Sequence, residues 1–133
     1  MKFHKVLRYL ANPVRKENPL SNLYGYRRNS DGTYAAVKNE ADIITKVITT
    51  IATSNDPLDK ILDKLIVDLE TTRNRSGRRW TAKNLMALCK YVYAGRVITD
   101  LGLLIPSNFY TEIVPLEICR NAIKKVRQYQ KSQ

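Results

Sequence analysis

The fold is decided by residues 56–96, which read DPLDKILDKLIVDLETTRNRSGRRWTAKNLMALCKYVYAGR. Asp56 as an N-cap and Pro57 at the first helical position predict the start of a helix. Apolar residues then recur every three or four positions, which is typical of a helix with one buried face. The predicted buried face consists of Leu58, Ile61, Leu62, Leu65, Ile66 and Leu69.

A polar segment and a further helix follow within the same stretch. Residues 71–79 are polar and basic and are predicted to form a mobile loop. Thr81 is the predicted N-cap of a third helix, residues 82–94, which Gly95 ends. Its predicted inward face is Leu85, Leu88, Cys89 and Val92, and its outward face is Lys83, Asn84, Ala87 and Lys90.

Shorter signals on either side complete the predicted set of elements. Asp31-Gly32 lies between two β-prone runs and predicts a hairpin, because both turn residues tolerate a positive φ. A first core helix is expected to begin at the Asn39 cap, with isoleucine and valine along one face. Asp100-Leu101-Gly102 predicts a second hairpin, and Pro115 is expected to begin the last helix.

The predicted fold class is therefore mostly α with small β-hairpins. A length of 133 residues suits a single domain with one hydrophobic core. Within that domain, residues 1–12 are expected to form a leading helix. Residues 13–126 are expected to form the body and residues 127–133 a frayed tail.

Charge is distributed unevenly along a chain of net charge +11. Residues 39–70 hold three basic and seven acidic side chains, whereas residues 71–99 hold seven basic side chains and no acidic one. Such a contrast is expected to attract phosphate to one face and repel it from another. Nucleic acid is favoured over membrane, because no stretch approaches the roughly 20 apolar residues that span a bilayer.

A catalytic centre is not expected on this chain. His4 is the only histidine, and Cys89 and Cys119 both fall within apolar helical patterns, where buried thiols are expected. Neither a zinc-ligand pattern nor a glycine-rich phosphate loop occurs in the sequence, so neither a metal nor a cofactor is expected. Without a secretory segment behind Met1, a cytoplasmic protein of a bacterium or phage is expected.

Two helices joined by a polar loop are typical of a helix-turn-helix, which lays the start of its second helix against base edges. Asn84 is suited to reading adenine and Lys83 to reading guanine. Thr81 and Ala87 are small enough to contact a thymine methyl group, and the arginines before them suit phosphates. The predicted DNA-contacting residues are Arg27, Arg28, Arg73, Arg75, Arg78, Arg79, Thr81, Lys83, Asn84, Ala87 and Lys90.

Three aromatic residues have predicted roles near these contacts. Trp80 is expected to anchor the core, because it opens a helix whose inner face is apolar. Tyr24 and Tyr26 serve either packing or phosphate contact, and the sequence favours neither role.

An ordered set of motifs runs through residues 13–126. It comprises Tyr24-Gly25-Tyr26-Arg27, the Asp31-Gly32 turn, Asn39-Glu40-Ala41, Arg79-Trp80-Thr81, Leu85 with Leu88, and Tyr93-Ala94-Gly95-Arg96. This set resembles the recombinase domain of large serine recombinases, the integrases and resolvases of phages and mobile elements. One departure is Asp56-Pro57, where that family usually has a serine before the helix.

The resemblance implies a mostly helical, recombinase-type DNA-binding domain over residues 13–126. Such a domain binds half of an attachment site and lies between a catalytic serine domain and a zinc-ribbon domain, neither of which is expected within this chain. Those two domains of the same recombinase would be partners if the chain is a fragment. The alternatives are a stand-alone helix-turn-helix regulator or accessory factor, and a basic RNA-binding protein.

Overall fold

A computed structural model describes residues 23–133. The predicted helix of residues 1–12 lies outside these residues. The described part contains four α-helices, a short 3-10 helix and two antiparallel hairpins, which confirms the predicted combination of helices with small β-hairpins. The helices are α1 (Lys38–Thr53), α2 (Leu58–Asp68), α3 (Ala82–Ala87) and α4 (Leu116–Lys131), and the 3-10 helix is Tyr91–Ala94. The strands are β1 (Tyr26–Arg28), β2 (Tyr34–Ala36), β3 (Arg96–Ile98) and β4 (Leu104–Pro106).

Both predicted hairpins are present. In the first, Arg28 of β1 lies opposite Tyr34 of β2, and Gly32 in the turn adopts a φ of 88°. Asp31 closes this turn by accepting hydrogen bonds from the backbone nitrogen and the hydroxyl of Thr33, at 2.9 and 2.6 Å. These bonds to the carboxylate lower the pKa of Asp31. In the second hairpin, β3 pairs with β4 around Gly102.

The core is formed mainly where α1 packs on α4. The predicted apolar face of α1 is confirmed, since Ile44, Val47, Ile48 and Ile51 are all fully buried. Burial of each such side chain contributes about 1.5–3 kcal/mol relative to exposure. In the same cluster α4 contributes Ala122 and Val126, with Ile118 and Tyr129 packed against it, whereas Cys119 and Ile123 are buried in a second cluster with Ala94.

Aromatic side chains attach the first hairpin to this core. Tyr26 stacks on Tyr93 with ring centroids 5.9 Å apart, and its hydroxyl donates to the Thr111 carbonyl at 2.6 Å. Tyr26 is only 1% exposed, so its role is packing rather than phosphate contact. Trp80 is also buried, and its indole nitrogen donates to the Thr72 hydroxyl at 3.0 Å, as expected for a core anchor.

The third helix is shorter than predicted. Residues 82–94 do not form one helix, because α3 ends at Ala87 and the chain is extended at Lys90, with φ −135° and ψ 144°. The Tyr93 carbonyl accepts hydrogen bonds from the backbone nitrogens of Ile113 and Val114, at 2.8 and 3.0 Å. These long-range bonds join the separate 3-10 turn of Tyr91–Ala94 to residues 113 and 114.

Smaller differences concern the ends of the other helices. The last helix continues to Lys131, so the predicted frayed tail of residues 127–133 is helical over most of its length. Its last turns are held by Tyr129, which packs against the core. At the start of α2, Pro57 is the N-cap in place of the predicted Asp56. Over residues 23–133, none of the helices combines the length and apolar composition that crossing a bilayer requires.

Candidate nucleic-acid interface

The predicted helix-turn-helix does not take its compact form. α2 and α3 are joined by residues 69–81, whereas the turn of that motif is about three or four residues long. α3 is also short, because it spans only Ala82–Ala87. The region still keeps the predicted order of a helix, a basic segment and a second helix capped by Thr81, whose hydroxyl accepts from the Asn84 backbone nitrogen at 3.2 Å.

The basic segment between these helices is closed by its own hydrogen bonds rather than being an irregular loop. The Asn74 side-chain oxygen accepts from the backbone nitrogens of Ser76 and Arg78, both at 3.1 Å. The Asn74 backbone nitrogen donates to the Arg78 carbonyl at 2.9 Å. Gly77 completes the turn with a φ of 78°, a conformation that favours glycine. The turn formed by residues 74–78 is called the basic turn below.

Arg75 of the basic turn is exposed, yet its guanidinium has several partners within the protein. Its guanidinium pairs with the Glu40 carboxylate of α1 and donates to the Tyr26 carbonyl of β1 at 3.1 Å. The same guanidinium lies 5.9 Å from the centre of the Tyr24 ring. Glu40 also accepts a hydrogen bond from the Gly25 backbone nitrogen at 2.7 Å. The phosphate contact expected of Arg75 from the sequence stays a prediction, and the structure shows that Arg75 joins the basic turn to α1 and the first hairpin.

Arg73 is also occupied in part by internal bonds. Its Nη1 donates to the carbonyls of Glu70 and Thr72, at 2.8 and 2.7 Å. These carbonyls follow the end of α2, where backbone acceptors lack helical partners and the helix dipole favours a cation. Arg73 remains exposed and a guanidinium has five N–H donors, so these bonds leave donors available.

The other predicted cations are exposed, and their side chains have no hydrogen bond or ion pair among residues 23–133. They are Arg27, Arg28, Arg78, Arg79, Lys83 and Lys90. Arg27 follows Tyr26, whose carbonyl binds Arg75, so β1 lies beside the basic turn. Lys90 lies beyond the end of α3 rather than on its outer face, in contrast to the prediction. Ala87 is exposed at the last position of α3.

A cleft of about 650 Å³ opens between the basic turn and α3. Asn74 and Arg75 line it on one side and Asn84 and Ala87 on the other, with Trp80 between them. Two amide side chains meet there, since Asn74 Nδ2 donates to Asn84 Oδ1 at 3.3 Å.

The orientation of these two amides follows from the basic turn. The Asn74 oxygen accepts two backbone N–H groups, so the Asn74 nitrogen must be the atom that faces Asn84. Asn84 therefore turns its oxygen toward Asn74. The two N–H donors of the Asn84 amide have no partner among residues 23–133. The arrangement presents hydrogen-bond donors beside Lys83, which also carries only donors.

The two cysteines are free thiols with no sign of activation. Burial raises the pKa of Cys89 to about 12 and that of Cys119 to about 11, so both remain protonated at neutral pH. The Cys119 thiol donates to the Lys90 carbonyl at 3.0 Å. In the described part of the chain, the His, Cys, Asp and Glu residues do not form a group suited to holding a metal ion.

Sequence reasoning missed two features of this region. Glu40 was not recognised as the partner of Arg75, because the two residues lie 35 positions apart and nothing local connects them. The basic residues of α4 were also passed over, although their helical spacing was visible in the sequence. They are Arg120, Lys124, Arg127 and Lys131.

Comparison of the chain with protein-family models, with curated proteins and with solved structures found no significant match.

Proposed function

We propose that this chain binds duplex DNA through the basic turn, α3 and the first hairpin. The observation that carries the proposal is the internal pairing of Arg75, which holds these segments together while leaving the neighbouring cations exposed. Arg78 and Arg79 directly precede Trp80, and Lys83 directly precedes Asn84, so all three are sequence neighbours of residues that line the cleft, and residues 71–99 hold no carboxylate to compensate them. Such a cluster favours a polyanion, because its mutual repulsion is relieved when phosphates bind.

Two roles are distinguished within this surface. Arg78 and Arg79 flank the start of α3, where their guanidinium forks suit phosphate oxygens and position the protein on the backbone. Lys83 and Asn84 lie in the first turn of α3 and offer donors, so they suit the acceptor atoms of a guanine edge in the major groove. The adenine contact expected from the sequence requires Asn84 to offer its oxygen as well, which the bond from Asn74 disfavours.

The biological assignment is the recombinase-type domain of a site-specific serine recombinase, which binds an attachment half-site. It rests on the resemblance over residues 13–126 and agrees with the mostly helical fold and the exposed basic surface. In this proposal strand exchange belongs to a separate catalytic serine domain, and the present chain contributes DNA binding alone.

A competition assay tests the proposal. Fluorescence anisotropy with a labelled duplex, selected from a random library for tight binding, measures displacement by unlabelled duplex or by structured RNA. Preference for the selected duplex over random duplex and over RNA is expected. Displacement that is stronger with structured RNA than with any duplex would contradict DNA binding and favour the RNA-binding alternative.

A further inference from the structure

Helix α4 carries a basic row on its exposed face. Arg120, Lys124, Arg127 and Lys131 are all exposed and follow the i, i+4, i+7, i+11 spacing of one helical side. The opposite stripe of α4 is buried against the core. The apolar face is thus already covered, and the basic row is the surface that α4 offers to a partner.

The side chains of this row differ in how they are paired. Arg120 lies 3.6 Å from the Glu117 carboxylate of the preceding turn. Lys124, Arg127 and Lys131 have neither an ion pair nor a side-chain hydrogen bond within the described residues. The adjacent Lys125 points the other way and donates to the Ser54 carbonyl at the end of α1. The row is therefore separate from the lysine that stabilises the helix packing.

A second cleft joins this row to the proposed interface. It has a volume of about 350 Å³ and is lined by Lys90 and Ala87 on one side and by Arg127 and Gln130 of α4 on the other. Ala87 also lines the cleft beside Asn84. Exposed basic side chains therefore follow one another from α3, through Lys90, to the second half of α4.

The spacing of the row suits the charge density of a duplex. Lys124 and Arg127 are separated by about 4.5 Å along the helix axis, and Arg127 and Lys131 by about 6 Å. A duplex carries about one negative charge per 1.7 Å of its axis, so phosphates are dense enough to face every member of such a row.

We infer that Lys124, Arg127 and Lys131 form a second phosphate-contacting surface that extends the interface of α3 along α4. This inference rests on the proposed function, because it assigns the same duplex to both surfaces. The flanking backbone would cross the second cleft past Lys90 and then follow α4. Contacts of this kind position a protein on DNA without reading its sequence.

The test measures the slope of log affinity against log salt concentration for the 133-residue chain on one duplex. The variant Lys124→Gln with Arg127→Gln is compared with Lys60→Gln with Lys64→Gln, which removes two exposed lysines from α2. The α4 variant is expected to reduce the magnitude of the slope by about two, since each lost phosphate contact changes it by about one. The α2 variant is expected to leave the slope unchanged.

The possible results separate the two proposals. If the unmodified chain binds no duplex, the proposed function fails and this inference fails with it. If that chain binds but the α4 variant keeps its slope, only the inference is overturned. An equal fall in both variants would mean a general net-charge effect and would also overturn the inference. Thermal unfolding midpoints check that each variant is folded. If the α4 double variant unfolds, Arg127→Gln alone replaces it, and the magnitude of its salt slope is expected to fall by about one.

Discussion

Arg75 binds Glu40 across 35 positions of sequence, and this pair joins the basic turn to α1 and the first hairpin. Their side chains are 31% and 20% exposed, so the pair is only partly screened by water. Exposed ion pairs contribute little to stability, but both members of this pair make further hydrogen bonds. Arg75 donates to the Tyr26 carbonyl, and Glu40 accepts from the Gly25 backbone nitrogen. The geometry of the proposed interface therefore depends on an arginine whose guanidinium is bound within the protein.

Arg75→Ala is expected to lower the free energy of unfolding by about 1–2 kcal/mol, because it removes the donor to the Tyr26 carbonyl and leaves the Glu40 carboxylate with only the Gly25 backbone N–H. Urea denaturation measures the change, and Arg78→Ala is the control, expected to stay within about 0.5 kcal/mol of the parent chain. A double-mutant cycle with Glu40→Gln should show coupling of at least about 0.5 kcal/mol. Additive effects would mean that the pair does not stabilise the turn.

Variants of Arg78 and Arg79 and variants of Lys83 and Asn84 are expected to differ in how they affect binding to specific and random DNA. Arg78→Ala and Arg79→Ala should weaken binding to all duplexes alike, because phosphates are common to every sequence. Lys83→Ala and Asn84→Ala should each cost about 1–3 kcal/mol on the selected site and little on random DNA, because only that site presents the matching base edge. Titrations against both duplexes check the contrast. Equal losses on the two duplexes for the α3 variants would remove α3 as the reading element and leave the Arg27 and Arg28 hairpin as the candidate.

Asn74→Asp is expected to change which base is preferred. The aspartate keeps the acceptor for Ser76 and Arg78 but removes the donor that faces Asn84 Oδ1. The Asn84 amide should then rotate, donate to the aspartate and present its oxygen outward. Preference at the contacted position should move from guanine toward bases with an amino group in the major groove, adenine and cytosine.

Relative affinities on duplexes that differ at that one position measure this shift. The added negative charge weakens binding to every duplex by the same factor, so its effect cancels in the ratio of affinities. An unchanged order of preference would show that Asn74 does not orient Asn84.

Stability is expected to fall at alkaline pH. Burial raises the pKa of Cys89 from its ordinary 9.0 to about 12, that of Cys119 from 9.0 to about 11, and that of Tyr24 from 10.0 to about 12. The folded chain thus holds these protons more tightly than the unfolded chain. Their contribution is complete below about pH 8 and is lost between about pH 9 and 12, as the unfolded groups ionise first.

Urea denaturation at pH 7, 9 and 10.5 should therefore give decreasing unfolding free energies. Iodoacetamide at pH 8 should modify both thiols only after denaturant is added, because the reactive thiolate is scarce in the folded chain. Rapid modification of Cys119 in the folded chain would contradict its burial.

Much of the fold followed from local patterns, and the differences have identifiable causes. The apolar face of α1 and the Asp31-Gly32 turn could be predicted, because periodicity and turn chemistry are encoded in neighbouring residues. The end of α3 at Ala87 could not be predicted, because the helical spacing of apolar residues continues through Leu88, Cys89 and Val92. The internal pairing of Arg75 could not be predicted either, because Glu40 and Tyr26 are distant in sequence and nothing next to Arg75 distinguishes it from the other arginines of the segment.

The salt dependence of duplex binding tests the central proposal most directly. If about four to six phosphates are neutralised, the slope of log affinity against log salt for the unmodified chain is expected near −4 to −5. Replacing Arg78 and Arg79 together with alanine should reduce its magnitude by about two, one for each lost contact. A flat slope, or one that these two replacements leave unchanged, would contradict the proposal and show that the basic turn is ordinary solvated surface.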